Sequence, residues 1–483
     1  MEKIINCRLT FFLESTQNLP AHQFGFRKMH STIDALNKFT SDIINSIKNK
    51  QHVICVSFDM RKAYDTTWRF GITQTLHKIG LKGNLPMFIN NFLTNRSFQT
   101  KIGSTISRRH YLDQGVPQGG VLSCTLFSLA INNIFPIIPT NINSSLYVDD
   151  LLIYCSGTHV ADLERRLQLA INKIGSWAES SGFTFSAPKT NCIHFHGLRN
   201  TQPPLKLLLN KQIIPNRESI KYLGMTLDFR LNWKLHIKSL KLDCMKRLDL
   251  LKCLSHTTWG ADRTTLLRVY RAIIRSKIDY GSSLYCTATE KVLGELDPGH
   301  NADLRLCTGA YRSSPVVSLY AESGEPPLKT RRTQLLLQYY ARTQQLPSSA
   351  MASYIEPPPT NDRTARLTLA EIIKEKIEEN EITISTMPFI YKKTPLWQLP
   401  EGVLCDSWEY PKKGGCSDSA MCDYFYDHRH AHHHDHLCIY TDGAKNEQGV
   451  GSAAASLGGS KSLRMMPETS IYTAELTGIL CGL

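Results

Sequence analysis

Apolar residues recur at helical spacing between residues 31 and 48, in the stretch STIDALNKFTSDIINSIK. Ser31 and Asp34 make a capping-box pattern at its start, so we predict a helix there. A β-branched run from Val53 to Phe58 then predicts a strand that leads directly into Asp59. The apolar face of the helix consists of Ile33, Leu36, Ile43 and Ile47.

Two further apolar segments surround a pair of acidic residues. A Gly- and Pro-rich turn followed by a long helix, from about Val121 to Ile134, is predicted by DQGVPQGGVLSCTLFSLAINNI. A buried β-hairpin is predicted by SSLYVDDLLIY, with Asp149 and Asp150 as its two-residue corner. An Asp pair at a corner is usually solvated, but these flanks are strongly apolar.

The mixed pattern of helices and strands continues to about residue 231. An amphipathic helix is predicted over roughly 160–181, a turn and strand in FSAPKTNCIHF, and a strand pair in SIKYLGMTLD. Beyond residue 231 the periodicity is helical. Residues 346–436 are rich in Pro, Ser, Asp and Lys and predict a largely irregular linker, after which a strand begins with CIYTDGA.

The charge balance narrows the class of partner. The chain has 483 residues, with 56 Lys and Arg against 42 Asp and Glu, a formal net charge of +14 and a pI near 9.1. This excess favours nucleic acid over a membrane surface, because no basic amphipathic helix stands out. The 14 cysteines include no C-x-x-C pair, and we find no signal peptide and no apolar run of about 18 residues. We therefore expect an intracellular protein, in the cytoplasm or nucleus, with reduced thiols and no membrane contact.

Positive charge is concentrated at the start of the helical part, between residues 231 and 280. This segment is either a solvated helical face or a helical subdomain that lies along a phosphate backbone and releases its counterions. Its acidic residues are Asp243, Asp249, Asp262 and Asp279. Its basic residues are Lys234, Lys238, Lys241, Lys246, Arg247, Lys252, Arg263, Arg268, Arg271, Arg275 and Lys277.

Three carboxylates end apolar strands: Asp59, Asp149 and Asp150. Brought together without counter-charge in a low-dielectric site they would repel one another strongly. Divalent cations remove the conflict, since Mg²⁺ combines a few protein oxygens with substrate phosphate oxygens, and two ions can clamp an in-line phosphoryl transfer. Together with a basic chain, this arrangement indicates nucleotidyl transfer on nucleic acid.

The ordered motifs resemble the reverse transcriptase of non-LTR (LINE-type) retrotransposons, most closely the jockey-like elements of arthropods. In chain order they are QFGFRKMHSTIDAL, FDMRKAYD, QGVPQGGVLSCTLFSLAINNI, YVDD, APKT and KYLGMTLD, over about residues 23–228. The segment LDPGHNADLRLCTGAYRSSPVVSLYAESGEPPL is similar to the helical region downstream of the polymerase in those elements. Six motifs in family order are far more specific than YVDD alone.

The resemblance implies roles for individual residues around the metal ions. Asp59, Asp149 and Asp150 match the metal-binding triad, with Asp59 and Asp149 as the expected direct ligands of two Mg²⁺ or Mn²⁺ ions. Lys189 matches a lysine proposed to assist the pyrophosphate leaving group; a solvated turn lysine is the open alternative. Tyr64 falls where the family discriminates against the ribose 2′-hydroxyl, although it could be an ordinary core aromatic.

Further positions match the nucleotide, template and primer contacts of the family. The turn that contacts the incoming nucleotide and template is matched by Pro117, Gln118 and Gly119. The fingers segment that approaches the template is matched by Gln23, Gly25, Phe26 and Arg27. The primer-grip turn is matched by Tyr222, Leu223 and Gly224.

Two features depart from the family pattern. Family members usually have Ala at the second position of the YxDD box, where this chain has Val148. The chain also begins in what resembles a fingers helix, without the preceding strand, its Arg-Pro-Ile motif or the upstream endonuclease domain. We therefore expect a fragment or a decayed copy of an element.

The last 46 residues resemble the start of ribonuclease H. Asp442, in IYTDGA, and Glu475, in IYTAELTGIL, match its first two metal ligands, while the later acidic residues of the family have no counterpart. We therefore expect residues 437–483 to be loosely ordered and inactive as a nuclease. The rival motif GVGSAA, from Gly449 to Ala454, predicts a hairpin rather than a dinucleotide-binding loop, because no strand-to-helix turn surrounds it. HRHAHHHDH predicts low-complexity linker rather than a zinc site, because no fixed ligand spacing accompanies it.

The resemblance implies an α/β (α+β) right-hand polymerase with a truncated ribonuclease H-like α/β segment at the C-terminus. We expect truncated fingers and palm at 1–230, a helical thumb and connection at 231–345, linker at 346–436 and partial ribonuclease H at 437–483. The implied activity is RNA-directed DNA polymerisation, with an RNA template, a DNA primer and deoxynucleoside triphosphates. The alternatives are an inactive nucleic-acid-binding remnant and a metal-dependent nuclease that uses only Asp442 and Glu475.

Overall fold

The computed structural model describes residues 1–198, 203–256, 258–345, 354, 367–382, 417–432, 439–446, 449–456, 459–467 and 469–482. The chain divides into two compact units, Met1–Pro395 and Leu396–Leu483. In the described part of the chain no helix is both long and apolar enough to cross a membrane.

The first unit begins with mixed helices and strands. Its helices up to residue 230 are α1 (Glu2–Ser15), α2 (Thr32–Lys48), α3 (Ala63–Thr66), α4 (Arg69–Lys78), α5 (Asn84–Leu93), α6 (Val121–Asn132) and α7 (Val160–Ser181). Its strands are β1 (His52–Phe58), β2 (Arg96–Phe98), β3 (Lys101–Ile102), β4 (Thr105–Ile106), β5 (His110–Leu112), β6 (Asn143–Tyr147), β7 (Asp150–Gly157), β8 (Asn191–Phe195), β9 (Leu208–Leu209), β10 (Gln212–Ile213), β11 (Ser219–Tyr222) and β12 (Met225–Asp228).

Four of these strands form an antiparallel central sheet in the order β6-β7-β1-β8. Successive side chains of a strand point to opposite faces, so β1 contributes to two separate cores. Ile54 and Val56 enter the first core, with α1, α4, α5, α6 and α7. Val53 and Cys55 enter the second core, on the side of α2. Both faces are covered, which explains the run of apolar residues from Val53 to Val56.

Several predicted elements are confirmed. Helix α2 begins after Ser31, whose side chain accepts from the backbone N–H of Asp34, while the Asp34 carboxylate accepts from the backbone N–H of Ser31, as in a capping box. The helix predicted over roughly 160–181 is α7, and the strand pair predicted in SIKYLGMTLD is β11 with β12. The long apolar helix begins at Val121 as predicted and ends at Asn132.

Helices follow strand β12, as predicted. They are α8 (Lys234–Leu254), α9 (Arg263–Tyr270), α10 (Ser276–Asp279), α11 (Ser282–Tyr285), α12 (Glu290–Leu293), α13 (Asp297–Thr308), α14 (Val316–Ser323), α15 (Leu328–Gln344) and α16 (Leu369–Glu379), with a π-helical turn at Arg271–Arg275. Trp233, Tyr270 and Tyr285 are fully buried in the second core, together with Leu152 and Tyr154 of the central sheet. The helical region therefore covers one face of the sheet.

Not all the basic residues of this region face outward. The buried carboxylate of Glu325 accepts from Arg271 Nε at 2.6 Å and from Arg275 Nη1 at 2.5 Å. Arg331 donates to Asp279 at 2.8 Å. Arg275 is therefore largely withdrawn into the fold, whereas Arg271 keeps 42% of its side chain exposed while it pairs with Glu325.

Helix α16 lies within residues 346–436, the segment predicted as a largely irregular linker. Thr368 and Glu371 form a capping box at its start. The Glu371 carboxylate also accepts from Lys48 Nζ of α2 at 2.6 Å, and Leu369 and Ile373 join a small core with α15. The helix has a signal of its own in this capping box and in the spacing of Leu369, Ile372 and Ile373, which the composition of the segment obscured. Most of the predicted linker lies outside the described residues.

The second unit contains helix α17 (Asp418–His432), strands β13 (Tyr440–Asn446), β14 (Gly449–Ser456) and β15 (Gly459–Met465), and helix α18 (Ile471–Gly482). The strands form an antiparallel sheet in the order β13-β14-β15. GVGSAA lies in the middle strand, so the predicted hairpin is confirmed and the motif does not open a helix. The end of α17 carries the first half of HRHAHHHDH; residues 433–436 lie outside the described residues.

Candidate active site

The three predicted acidic residues lie where the neighbouring strands β1 and β7 of the central sheet meet their loops, at the same end of both strands. Asp59 directly follows β1, and Asp150 begins β7, the neighbouring strand, with Phe58 opposite Leu151 in the register. Tyr147 pairs with Asp150, so the two-residue corner consists of Val148 and Asp149 rather than of the two acids. The predicted burial is also wrong in part: the flanking strands are buried, whereas both carboxylates of the hairpin reach solvent.

The corner has an unusual backbone. Val148 has a φ of 61°, a conformation that β-branched residues rarely adopt. The segment around Gly25 lies against it, because Phe24 N–H donates to Leu146 O and Leu146 N–H to His22 O, both at 2.9 Å. A Cβ on Gly25 would lie 2.6 Å from the backbone nitrogen of Val148. Gly25 is therefore required for close packing on the acidic corner, a role that its sequence motif did not reveal.

The electrostatics of the site favour a positive ligand. Partial desolvation, and then the charges of Asp149 and Asp59, raise the pKa of Asp150 to about 6. Lys189 Nζ lies 3.9 Å from Asp59 Oδ2, in a solvent-exposed ion pair. The turn that carries Lys189 is fixed next to Asp59, since the Ser186 N–H donates to Asp59 O at 2.8 Å. The structure thus brings Asp59, Asp149, Asp150 and Lys189 together.

The donor chemistry of the triad suits Mg²⁺ or Mn²⁺, which prefer oxygen ligands. Within the described ranges, no three His, Cys, Asp or Glu side chains are arranged to hold a metal ion by themselves. Magnesium commonly completes its shell with water and substrate phosphate oxygens, so an incomplete protein ligand set is compatible with it. Asp59 and Asp150 stand next to the paired residues Phe58 and Leu151 of neighbouring strands, so both carboxylates lie at the same end of the sheet.

Tyr64 lies beside these acids on α3. Its ring stacks on Phe127 of α6, with centroids 4.7 Å apart and planes at 12°, and it is half-buried. This geometry accommodates both interpretations of Tyr64, because one face of the ring packs on the core while part of the side chain remains accessible.

The turn at Pro117, Gln118 and Gly119 is held against α3. Val116 N–H donates to Tyr64 O at 2.9 Å, and Gln118 Nε2 donates to Asp65 Oδ1 at 2.8 Å. Gln118 and Gly119 are exposed, and Gly119 has a φ of 84°, which favours glycine. Asp65, which orients Gln118, is a functional candidate that sequence reasoning missed, although it lies in the motif FDMRKAYD.

Gln23 and Arg27 are used inside the fold. Gln23 is fully buried, and its Nε2 donates to Ser128 O at 3.4 Å. Arg27 makes a bidentate ion pair with Glu14 of α1: its Nε donates to Oε1 at 2.9 Å and its Nη2 donates to Oε2 at 2.7 Å. Their template contacts stay predictions; in this structure both side chains hold the segment before α2 against its neighbours. Phe26, by contrast, is exposed and has a φ of 58°.

The predicted primer-grip turn joins β11 to β12. Tyr222 is buried and lies 3.3 Å from Ser145 Oγ through its hydroxyl, and Leu223 and Gly224 both have positive φ, 45° and 82°. Tyr280, from the helical region, donates to Leu223 O at 2.6 Å. Sequence reasoning missed Tyr280, because nothing local links it to a turn so far away in the chain.

Asp442 and Glu475 are considered within the second unit. Asp442 is in β13, and α18 packs directly on that strand, since a Cβ on Gly443 would lie 2.5 Å from the backbone nitrogen of Glu475. Both acids are exposed. The structure therefore brings the strand and the helix that carry them into contact.

Comparison with known proteins matches residues 1–227 to the family described as reverse transcriptase (RNA-dependent DNA polymerase). The probable RNA-directed DNA polymerase from transposon X-element of Drosophila melanogaster is 25% identical over 315 residues, which cover 64% of this chain and 34% of the relative. The corresponding protein from transposon BS of the same organism is 28% identical over 282 residues, 56% and 30% of the two chains. The chain thus spans about a third of the length of these relatives. Among solved structures, apo telomerase from Candida tropicalis aligns with a TM-score of 0.39 at 11% identity, over 71% of this chain and 54% of that one.

Proposed function

Since residues 1–227 form a reverse transcriptase domain related to those of jockey-like non-LTR elements, we propose that this chain adds deoxynucleotides to a primer 3′-hydroxyl on an RNA template and releases pyrophosphate. The observation that carries the proposal is that Asp59, Asp149 and Asp150 lie at the same end of the neighbouring strands β1 and β7. In this proposal the central sheet belongs to the palm, and the helices after residue 230 form the thumb.

The proposed chemistry uses two divalent ions, Mg²⁺ or Mn²⁺. Asp59 and Asp149 would hold them together with phosphate oxygens of the incoming nucleotide. Such ions, when bound, lower the cost of the 3′-alkoxide and of the charge that develops on the phosphate. Asp150 adds a third negative charge. Its pKa is raised by desolvation and by the charges of Asp149 and Asp59, because the ionised carboxylate is unfavourable there without a cation.

Other side chains bind and orient the substrates in this proposal. Lys189 offers a cation beside Asp59, where the pyrophosphate leaves. Tyr64 presents its ring under the sugar of the incoming nucleotide, supported from behind by Phe127. Gln118, oriented by Asp65, supplies an amide to the nucleotide and template. The primer-grip turn at Leu223 and Gly224 supports the primer end.

The second unit is proposed as the start of a ribonuclease H fold, with Asp442 and Glu475 as vestigial metal ligands. Three antiparallel strands followed by a helix support this proposal. The whole chain is proposed to act inside the cell, in the cytoplasm or nucleus, where its template, primer and nucleotides are found.

The proposal is tested by primer extension on an RNA template. We expect extension to need Mg²⁺ or Mn²⁺ and to fall by about 100-fold or more in Asp150→Ala, with primer–template binding retained. Asp249→Ala, at an exposed acid of α8, is the matched control and should extend normally. Extension that survives Asp150→Ala would contradict the site assignment. If the wild type binds primer–template but never extends it with either ion, the chain is an inactive nucleic-acid-binding remnant.

A further inference from the structure

A large open groove lies in the first unit, outside the acidic site. It has a volume of about 1110 Å³ and is formed by the start of α4, by α5 and by the chain after β5. Trp68 and Phe70 line it from the start of α4, Met87 from α5 and Tyr111 from β5. The proposed catalysis does not account for this groove, although Gln114 of the motif QGVPQGG is among its lining residues.

Aromatic rings are displayed in the groove instead of being packed into a core. Phe70 and Tyr111 are 64% and 69% exposed, and Trp68 is also exposed. The rings of Trp68 and Phe70 lie 5.4 Å apart at an angle of 48°. Trp68 rests closely on Gly71, where an added Cβ would lie 2.7 Å from the indole. All three rings are accessible surfaces of the kind on which nucleic-acid bases stack, and Trp68 is held by its contacts with Phe70 and Gly71.

The charged side chains of the groove complement a polyanion. Lys82 and Arg96 line it together with His77, while Asp113 is the acidic residue among the lining residues. The Arg96 guanidinium lies over the ring of Phe92, 5.4 Å from its centroid, which keeps it extended along the surface. A strand that alternates bases with phosphates satisfies both the rings and the cations, whereas an apolar protein segment would leave the cations unmatched.

The far wall of the groove is preorganised by Arg69. Its guanidinium donates to three backbone carbonyls of one segment, Leu112 O and Gly115 O at 2.7 Å and Gln114 O at 2.9 Å. The same segment leads into the turn at Pro117. It is also fixed next to α3, because the Gly115 N–H donates to Thr67 O at 2.9 Å. The groove therefore leads along a fixed wall to the turn that carries Gln118. A preformed wall reduces the ordering cost of binding.

We propose that this groove binds single-stranded RNA, with bases stacked on Trp68, Phe70 and Tyr111 and phosphates held by Lys82 and Arg96. The identification of that strand as the template rests on the proposed function; the binding itself does not. Duplex nucleic acid does not fit the proposal, because its bases are already stacked on one another and do not reach the rings.

The test compares affinities of the full chain for a fluorescein-labelled 12-nucleotide RNA and for a blunt RNA–DNA duplex, without nucleotides or divalent ions. Phe70→Ala and Tyr111→Ala should each weaken single-strand binding by about tenfold or more and leave duplex binding within about twofold. Lys82→Glu should weaken single-strand binding and reduce its dependence on salt. Because Phe70, Tyr111 and Lys82 are exposed, these substitutions leave the core intact.

Matched controls use exposed residues elsewhere. Tyr311→Ala and Lys291→Glu remove an exposed aromatic and reverse an exposed charge outside the groove lining, and should bind both ligands as the wild type does. Unchanged single-strand affinity in Phe70→Ala and Tyr111→Ala would overturn the proposal. An equal loss of affinity for the single strand and for the duplex would also overturn it. Asp150→Ala, which should bind the single strand normally, separates this result from the proposed catalysis: its failure to extend tests the carboxylates alone.

Discussion

Val148 adopts a backbone conformation that its own residue type disfavours. Its φ of 61° costs on the order of 1–3 kcal/mol, which the contacts with the segment around Gly25 offset. The apolar flanks correctly predicted the hairpin, but its corner was predicted one residue too late, because Asp is a common turn residue and Val is not. Local preference therefore fails at the residue where the candidate site is strained, since a distant segment determines the backbone there.

Tyr64→Ala should admit ribonucleotides, because removal of the ring would remove the clash with a 2′-hydroxyl. We expect a gain of about tenfold in ribonucleotide incorporation, or about 1.4 kcal/mol of discrimination. Competitive extension with matched ribo- and deoxynucleotides measures it. Tyr64→Phe keeps the ring on Phe127 and should remain selective. A Tyr64→Ala protein that unfolds, or that is as selective as the wild type, would identify Tyr64 as a core aromatic.

Asp150→Asn should change the pH dependence of stability. The pKa of Asp150 is raised from 3.8 to about 6 on folding, so its contribution to the free energy of unfolding falls as the pH rises through this interval. Without divalent ions at pH 7.5, Asp150→Asn should therefore be more stable than the wild type, by up to about 1 kcal/mol after solvent screening. At pH 3.5 the difference should vanish. Urea midpoints followed by tryptophan fluorescence measure both.

A control variant separates the effect of removing the Asp150 charge from any general effect of replacing Asp by Asn. Asp249→Asn, at an exposed acid of α8, should show no such pH-dependent gain. Added Mg²⁺ should stabilise the wild type more than Asp150→Asn, because the cation neutralises the charge that the variant lacks. Equal stabilisation of the two proteins by Mg²⁺ would argue against Asp150 as part of the metal site.

Elements were predicted where their own residues carry a clear signal, whatever the distance to their partners. Helices α2 and α7 and strand β1 follow from periodicity and a capping box, because these signals lie within the element itself. Helix α16 carries such signals too, a capping box at Thr368 and Glu371 and apolar residues at helical spacing, but the composition of residues 346–436 led to its interpretation as linker. The buried Glu325, by contrast, follows a short helix and gives no local sign that it pairs with Arg271 and Arg275.

Glu325→Ala should destabilise the helical region by about 3 kcal/mol, because two guanidinium groups would lose the buried carboxylate that they share. Glu322→Ala, three residues earlier, removes an exposed ion pair with Arg263 and should cost no more than about 0.5 kcal/mol. Chemical denaturation of the two variants beside the wild type measures the difference. Similar losses in both would show that burial does not decide the strength of these pairs.

At the scale of the whole molecule, the order of motifs predicted the order of elements but not how the cores are divided. The predicted boundary at residue 230 separates strands from helices, yet the second core contains residues from both sides of it, among them Leu152 and Trp233. The boundary therefore marks a change of secondary structure within one packed unit. Sequence composition records the change of periodicity and carries no signal of the shared core.

The second unit should leave the RNA strand of an RNA–DNA hybrid intact in the presence of Mg²⁺. Two-metal hydrolysis needs enough carboxylates to hold both ions about 4 Å apart, and the candidates are Asp442 and Glu475. The buried apolar side chains of its described residues are Val450, Ala454 and Ala474, a small core for a rigid site. Gel analysis of labelled hybrid measures survival, with an added hybrid-specific nuclease as positive control. Cleavage that disappears in Asp442→Asn would contradict this expectation.

The ion pair between Lys48 and Glu371 has a consequence for synthesis on the ribosome, because 323 residues separate its partners. At about 5–20 residues per second, helix α2 leaves the exit tunnel roughly 16–65 s before the helix that covers its end. The apolar face of α2 packs in the second core with β1 and β7, which leave the tunnel long before α16 does. The pair with Glu371 is therefore expected to form late, on a helix α2 that is already packed against the central sheet.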